Sequence, residues 1–394
     1  MKVSFGGKMQ VKCNELFAKI AELYPKYIDV WTRLCSIESP TDCKEGIDEA
    51  SAYLASVAAE FGCSIERYPQ AVAGDVVTLT LNPDASLAPF IFSGHLDTVH
   101  PVGLFGTPPV RRDDTYIYGP GVVDCKGGVV AALCAMEALA AVGFCRRPVK
   151  LVLQTDEEGG SARSGGDTIR YIMESAKGAV AFLNLEGHNP GWACLLRKGI
   201  ATFTFTVRGV AAHAASCATD GASAICEAAH KIIRLEKFKD ENGLTCNCGV
   251  IEGGTTPNTV PAFCRFRANV RFATQEQLAY IRRFVKELAA ESTVKGTLTT
   301  VEETGGRPAM EFAKRNEDLL CRLNEIYEEN GLPVLLAADR RLGGSDAAYI
   351  TLAGVPCIDS LGVEGKHIHS KEEKALLLSL LSAAKRLSAA AYEI

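Results

Sequence analysis

The sequence has no apolar stretch long enough to cross a bilayer, and its first dozen residues carry Lys2, Lys8 and Lys12 without the apolar segment of a secretory leader. A membrane or secreted protein is therefore not expected, and the expected compartment is the cytoplasm. Clusters of basic residues are also missing. The 42 Lys and Arg against 47 Asp and Glu leave a net charge of -5 spread along the chain, which gives no footprint for nucleic acid. Internal repeats and low-complexity segments are absent. The cysteines number 15, an odd count, and are scattered as Cys134, Cys226 and Cys321 are, which argues against a disulfide framework and for free thiols in a reducing compartment. Cys246 and Cys248 lie close together, but two thiols do not complete a tetrahedral metal site. The glycines at 119 and 121 lack the strand-to-helix context of a dinucleotide site.

What the sequence has in quantity is apolar content, 47% of 394 residues, more than one core usually holds, so two domains are expected. An amphipathic helix over 45–61 precedes an alternating strand over 76–81, and strands and helices then follow in turn as far as Glu186. That order predicts an α/β domain with a mostly parallel central sheet flanked by helices and with ligands at the carboxyl ends of strands. From Lys198 the rhythm becomes strand 202–207, helix 223–235, strands 244–251 and 262–272, helix 276–290 and strand 298–303. This is the order of a ferredoxin-like α+β unit. A helix over 312–330 returns to the first rhythm. The expected organisation is a catalytic domain over 1–197 and 309–394 and an inserted lid or dimerisation domain over 198–308, hinged near Lys198 and Arg307.

The chemistry starts from Glu157 and Glu158, two adjacent acids just beyond the apolar run 149–153. Neighbouring carboxylates at a buried strand tip repel each other unless a cation lies between them. One of them can ligate a metal while the other takes a proton from water, which makes half of a hydrolytic centre. A second apolar run ends in His95 and Asp97, two apart and so on one side of a strand, where Asp97 can fix the imidazole tautomer and leave the other nitrogen for a metal. Asp124 stands in a glycine-rich loop before an apolar helix over 129–142, and its two oxygens suit it to bridge two ions. Glu186 ends a further apolar run, and His367 and His369 alternate near the carboxyl end, either one a possible ligand. His100, His188 and His230 read as structural or surface groups, and Cys125 as a small buried side chain.

These motifs, in this order and over nearly the whole chain, resemble the co-catalytic di-zinc amidohydrolases that include glutamate carboxypeptidase, aminoacylase and succinyl-diaminopimelate desuccinylase. The resemblance implies two zinc ions, with cobalt or manganese as alternatives that the same ligands accept. It places His95, Asp124 and Glu186 on one ion and Asp124, Glu158 and His369 on the other, preferring His369 because Ser370 and Glu373 follow it in the family pattern. Glu157 becomes the general base and Asp97 the partner of His95. His213, among small residues in the insert, is implied to stabilise an oxyanion from the partner subunit of a homodimer. Asn258 is implied to face the substrate, Arg271 to grip its carboxylate, and Gly344 and Ser345 to add donors to the same anion.

Glu rather than Asp at position 186, with the stretches 342–349 and 361–365, looks most like the glutamate carboxypeptidase branch. The expected reaction is hydrolysis of an amide or peptide bond beside a free carboxylate, in a small peptide or N-acyl amino acid. Alternatives are an N-acyl-amino-acid deacylase or desuccinylase, and an aminopeptidase or dipeptidase with an amine anchor such as Glu252. A binding protein without turnover is disfavoured by retention of Glu157 beside a full ligand set.

Overall fold

A computed structural model describes residues 6–339 and 343–394. Residues 1–5 and 340–342 lie outside the described residues. Contacts divide the described residues into two units, one of residues 6–195, 312–339 and 349–394, the other of residues 196–311 and 343–348. The short return segment 343–348 thus groups with the second unit, a tertiary association that no local sequence pattern announces.

The first unit is built on a six-stranded sheet in the order Ser64–Tyr68, Val76–Leu81, Val149–Gln154, Phe90–His95, Ala181–Asn184, Cys357–Ile358. The first two pairings are antiparallel and the remaining three are parallel, so the sheet is mostly parallel with helices around it. Strands 76–81 and 90–95 are buried at every residue, so the apolar–polar alternation expected over 76–81 does not mark a solvent face: Thr78 and Thr80 are buried too. Because 149–154, 90–95 and 181–184 run parallel, their carboxyl ends meet at one edge of the sheet. His95 closes one of these strands, Glu157 follows another by three residues, and Glu186 follows the third by two.

Helix Lys126–Ala141 lies against this sheet and is buried on almost all sides, packed between helices Gly6–Ser36 and Leu377–Glu393. Gly128 permits that approach, since a Cβ there would stand 2.2 Å from the Leu185 carbonyl oxygen, next to Glu186. Tyr27 and Lys26 of the amino-terminal helix tie it down, both reaching Glu137, at 2.7 and 2.8 Å. This helix of 31 residues was not among the expected elements; its interior Pro25 reads locally as a break, but burial of Leu16, Ile20, Tyr27 and Trp31 holds it together. A small second sheet orders Gly365–Lys366, Lys374–Leu376, Tyr116–Tyr118 and Arg111–Arg112. It sets the loop between 366 and 374, which carries His369, beside the strand that leads into the Asp124 loop.

The second unit follows the expected β-α-β-β-α-β order: Gly199–Arg208, Ala224–Leu235, Thr245–Gly253, Phe263–Phe272, Gln275–Ala290, Leu298–Arg307. Its sheet is antiparallel throughout, with 245–253 and 298–307 at the edges. Strand 199–208 alternates buried and half-buried residues, one face on the two helices and the other away from them. Ser223 and Thr274 cap the helices by accepting the amides of Cys226 and Gln277 at 3.1 and 3.2 Å. At the centre Phe205 and Phe266, opposite each other in register, stack with centroids 4.6 Å apart. Phe266→Ala should therefore destabilise this unit by about 3–5 kcal/mol, read as a lowered urea midpoint, because a fully buried ring leaves a cavity its neighbours cannot refill.

Candidate metal centre

Asp97 organises the strand ends. Fully buried, it accepts the amide of Glu157 on one carboxylate oxygen and the amide of Glu158 on the other, both at 3.0 Å, and the Thr41 hydroxyl at 2.9 Å. Burial alone would raise its pKa, but the bonds from His95, Thr41 and the Glu157 amide outweigh it and hold the carboxyl below the usual range. His95, 1% exposed, points Nδ1 toward Asp97, 2.9 Å from its carbonyl oxygen and 3.5 Å from its carboxylate. That leaves Nε2 facing Asp124 at 3.2 Å and Glu186 at 3.7 Å. The ring orientation is the one a histidine ligand needs, with its second nitrogen held by an oxygen.

Asp124 presents one oxygen to His95 and the other to His369, whose Nε2 stands 3.0 Å away. The same His369 nitrogen is 3.2 Å from Glu158. Asp124 thus shares its two oxygens between two imidazoles, one beside Glu186 and one beside Glu158. The donor atoms of His95, Asp124 and Glu158 all lie within 4.8 Å of one another. The distances of 3.0 and 3.2 Å to Asp124 and Glu158 make His369 the imidazole directed at the acids, while His367, also exposed, has its carbonyl on the Ser370 amide at 3.1 Å. Both histidines take positive φ, 62° and 64°, in the turn that follows strand Gly365–Lys366.

The electrostatics of this cluster favour a cation. Burial raises the Glu158 pKa to about 7, with His369 and His95 opposing the rise and the charges on Asp124 and Glu157 adding to it. Hydrogen bonds to Asp124 and Glu158 raise that of His369 to about 10, while burial lowers it. For Asp124 burial pushes upward, but the two histidines prevail and the carboxyl falls well below its ordinary range. These oxygen and imidazole donors fit divalent zinc, cobalt or manganese. Cys125 lies within reach of His95 and Glu186 as well, but its sulfur accepts the His95 amide at 2.9 Å and burial raises its pKa to about 12, so it remains a thiol rather than a ligand.

The remaining expected site residues belong to the second unit. His213 is exposed and caps a short turn, its Nδ1 accepting the Ala215 amide at 3.2 Å. Asn258 is exposed, and its carbonyl accepts the Ala214 amide at 2.9 Å, which fixes the two loops together. Arg271 is half-buried with Nε on Asn269 at 3.0 Å; burial and the nearby Arg307 both lower its pKa. Gly344 is half-buried against Arg307 and Ser345 is fully buried, both just ahead of helix Ala347–Leu352. Arg307, 8% exposed and 3.9 Å from Asp346, was read in the sequence only as a hinge. Thr41 and Lys126 were not singled out. Thr41 is 56 positions from the carboxylate it serves, and Lys126 is a fully buried lysine bonded to the Ile37 carbonyl at 2.8 Å.

Asp124→Ala removes the one carboxylate that faces both imidazoles. Metal content measured by elemental analysis should fall to less than half that of the parent protein, while circular dichroism stays unchanged.

The description "Peptidase family M20/M25/M40" matches residues 91–393 of the chain. Carboxypeptidase G2 of Pseudomonas sp. (strain RS-16) is 30% identical over 388 residues, 97% of this chain and 92% of that protein. A succinyl-diaminopimelate desuccinylase of Cereibacter sphaeroides (strain KD131 / KCTC 12085) is 27% identical over 316 residues, 72% of this chain and 78% of its own length. Among solved structures, aminopeptidase PepT of Bacillus cereus ATCC 10987 superposes with a TM-score of 0.74 at 21% identity, covering 94% of this chain and 98% of that one. By the extent of that family match and the near full-length likeness to carboxypeptidase G2, the chain belongs to peptidase family M20/M25/M40 and is a metal-dependent hydrolase.

Proposed function

We propose that the protein hydrolyses an amide or peptide bond next to a free carboxylate, as a glutamate carboxypeptidase does, at a centre of two divalent ions. The observation that carries this reading is the division of the Asp124 oxygens between His95 and His369, at 3.2 and 3.0 Å, beside the acid pair 157–158. His95, Asp124 and Glu186 would hold one ion, and Asp124, Glu158 and His369 the other. Bound there, such ions acidify water and polarise a carbonyl oxygen. Glu157, 7% exposed and held by its amide on Asp97, takes a proton from the attacking water and delivers it to the leaving amine. His213 offers an imidazole to the developing oxyanion.

Two features support a carboxylate-bearing substrate. Arg271 and Arg307 stand close enough for one to depress the pKa of the other, an unfavourable pairing that a bound anion would relieve. The likeness to carboxypeptidase G2 also spans nearly the entire chain. A second copy of the chain as partner is supported by edge strand 245–253, whose Val250 and Ile251 are 53% and 54% exposed. All 15 cysteines are free, which supports a reducing compartment, and among the described residues no helix is long and apolar enough to cross a membrane.

Glu157→Ala should retain its metal and lose turnover by about 10²–10⁴-fold. Near-parental turnover would remove Glu157 from the proton transfers. Release of amino acid from a panel of N-acylated, C-terminal glutamyl and free-amine peptides assigns the substrate class: preference for the free-amine peptides would overturn the carboxypeptidase reading. His213→Ala mixed with Glu157→Ala should recover up to about a quarter of parental activity if the imidazole acts across a dimer, since random pairing leaves one complete site in half of the dimers.

A further inference from the structure

We infer that Glu373 is a positioning residue for the metal centre, which locks the loop of Asp124 to the segment of His369 so that both ligands are presented together. The inference rests on the metal-centre reading above and extends it to a residue that supplies no donor of its own.

Glu373 is 1% exposed, and each of its carboxylate oxygens accepts two hydrogen bonds. One oxygen takes the amides of Val123 and Asp124 at 2.9 and 3.2 Å. The other takes the Gly121 amide at 3.3 Å and the imidazole Nε2 of His100 at 2.8 Å. Its own carbonyl accepts the Gly119 amide at 3.3 Å. The whole turn 119–124 therefore wraps a single carboxylate, and the last amide in that turn belongs to the shared ligand. On its other side Glu373 lies four residues after His369, and its amide returns to the Ser370 carbonyl at 3.0 Å, closing the 367–373 segment on itself. His100 is buried and fixed edge-on against Phe105, with centroids 5.0 Å apart, so the fourth bond is also preset.

The reason for such a device is geometric. The Asp124 loop is glycine-rich, is followed by a helix and is not itself a strand of the main sheet, which it meets through the Cys125 sulfur on the His95 amide, while His369 sits at positive φ on an exposed hairpin. Neither stands at the end of a main-sheet strand, as His95, Glu157 and Glu186 do. A buried carboxylate with four donors supplies the missing constraint, because any shift of one loop against the other would strip a buried oxygen of its partners.

The test compares metal affinity, by chelator competition, of the parent protein with Glu373→Gln and His100→Gln, using Zn²⁺ and Co²⁺ as probes. In Glu373→Gln an NH2 replaces one oxygen and faces amide hydrogens or the imidazole. Affinity for one of the two ions should fall by about 10–100-fold. The visible spectrum of the Co²⁺-loaded protein should change with it, and Glu372→Gln, one residue away and exposed, should change neither. His100→Gln leaves the carboxylate in place and removes one donor, so a smaller loss of the same ion is expected; it also serves if Glu373→Gln does not fold. Parental affinity and an unchanged Co²⁺ spectrum in a folded Glu373→Gln would overturn the inference, as would equal loss in Glu372→Gln. If the parent protein itself bound no ions, the metal-centre reading would fail instead, so the two failures are distinguishable.

Discussion

Carboxylates gathered in a buried place repel one another, and the first unit gathers Asp97, Asp124, Glu157, Glu158 and Glu186 at one edge of its sheet. Part of that cost is met within the chain, where hydrogen bonds to Asp97 and the two imidazoles beside Asp124 hold both carboxyls down. Part is not, since the Glu158 pKa still rises to about 7. A divalent cation bound among them would compensate this remainder, and such a role would account together for the parallel strand ends, the orientation of His95 and the approach of His369 to Asp124 and Glu158.

The positions of the acids follow from strand direction. Three parallel strands deliver His95, the 157–158 pair and Glu186 to one edge without special loops. The other two proposed ligands require more construction. Asp124 depends on a turn whose amides converge on Glu373, and His369 on a hairpin of the small second sheet. Rigid elements thus place one half of the donor set, and a buried carboxylate network places the other.

The parts of this arrangement that were legible in the sequence are those carried by local chemistry. Adjacent acids after an apolar run, a histidine two residues before an aspartate, and an acid in a glycine-rich loop each have a physical meaning at short range. The β-α-β-β-α-β order of the second unit was legible for the same reason, since strand 263–272 alternates cleanly between Phe266, Ala268 and Val270 on one side and Arg267, Asn269 and Arg271 on the other. What escaped depends on distant partners. The carboxylate of Glu373 meets amides 249 to 252 positions earlier in the chain, and residues 343–348 join the second unit across an intervening helix. The amino-terminal helix escaped because Pro25 is a stop signal locally and is overridden only by tertiary burial.

The two units differ in how the chain supplies them. The second draws its core from one continuous stretch, 196–311, with the short later segment 343–348 added, whereas the first is interrupted and regains its sheet edge and its closing helix only from residues beyond 311. During synthesis, which proceeds from the amino terminus, the ferredoxin-like core can assemble while its host is still incomplete. The hydrolytic apparatus is then finished last, when the hairpin of His369 emerges. A nascent chain cut short before that hairpin would carry no competent proteolytic centre into the cell.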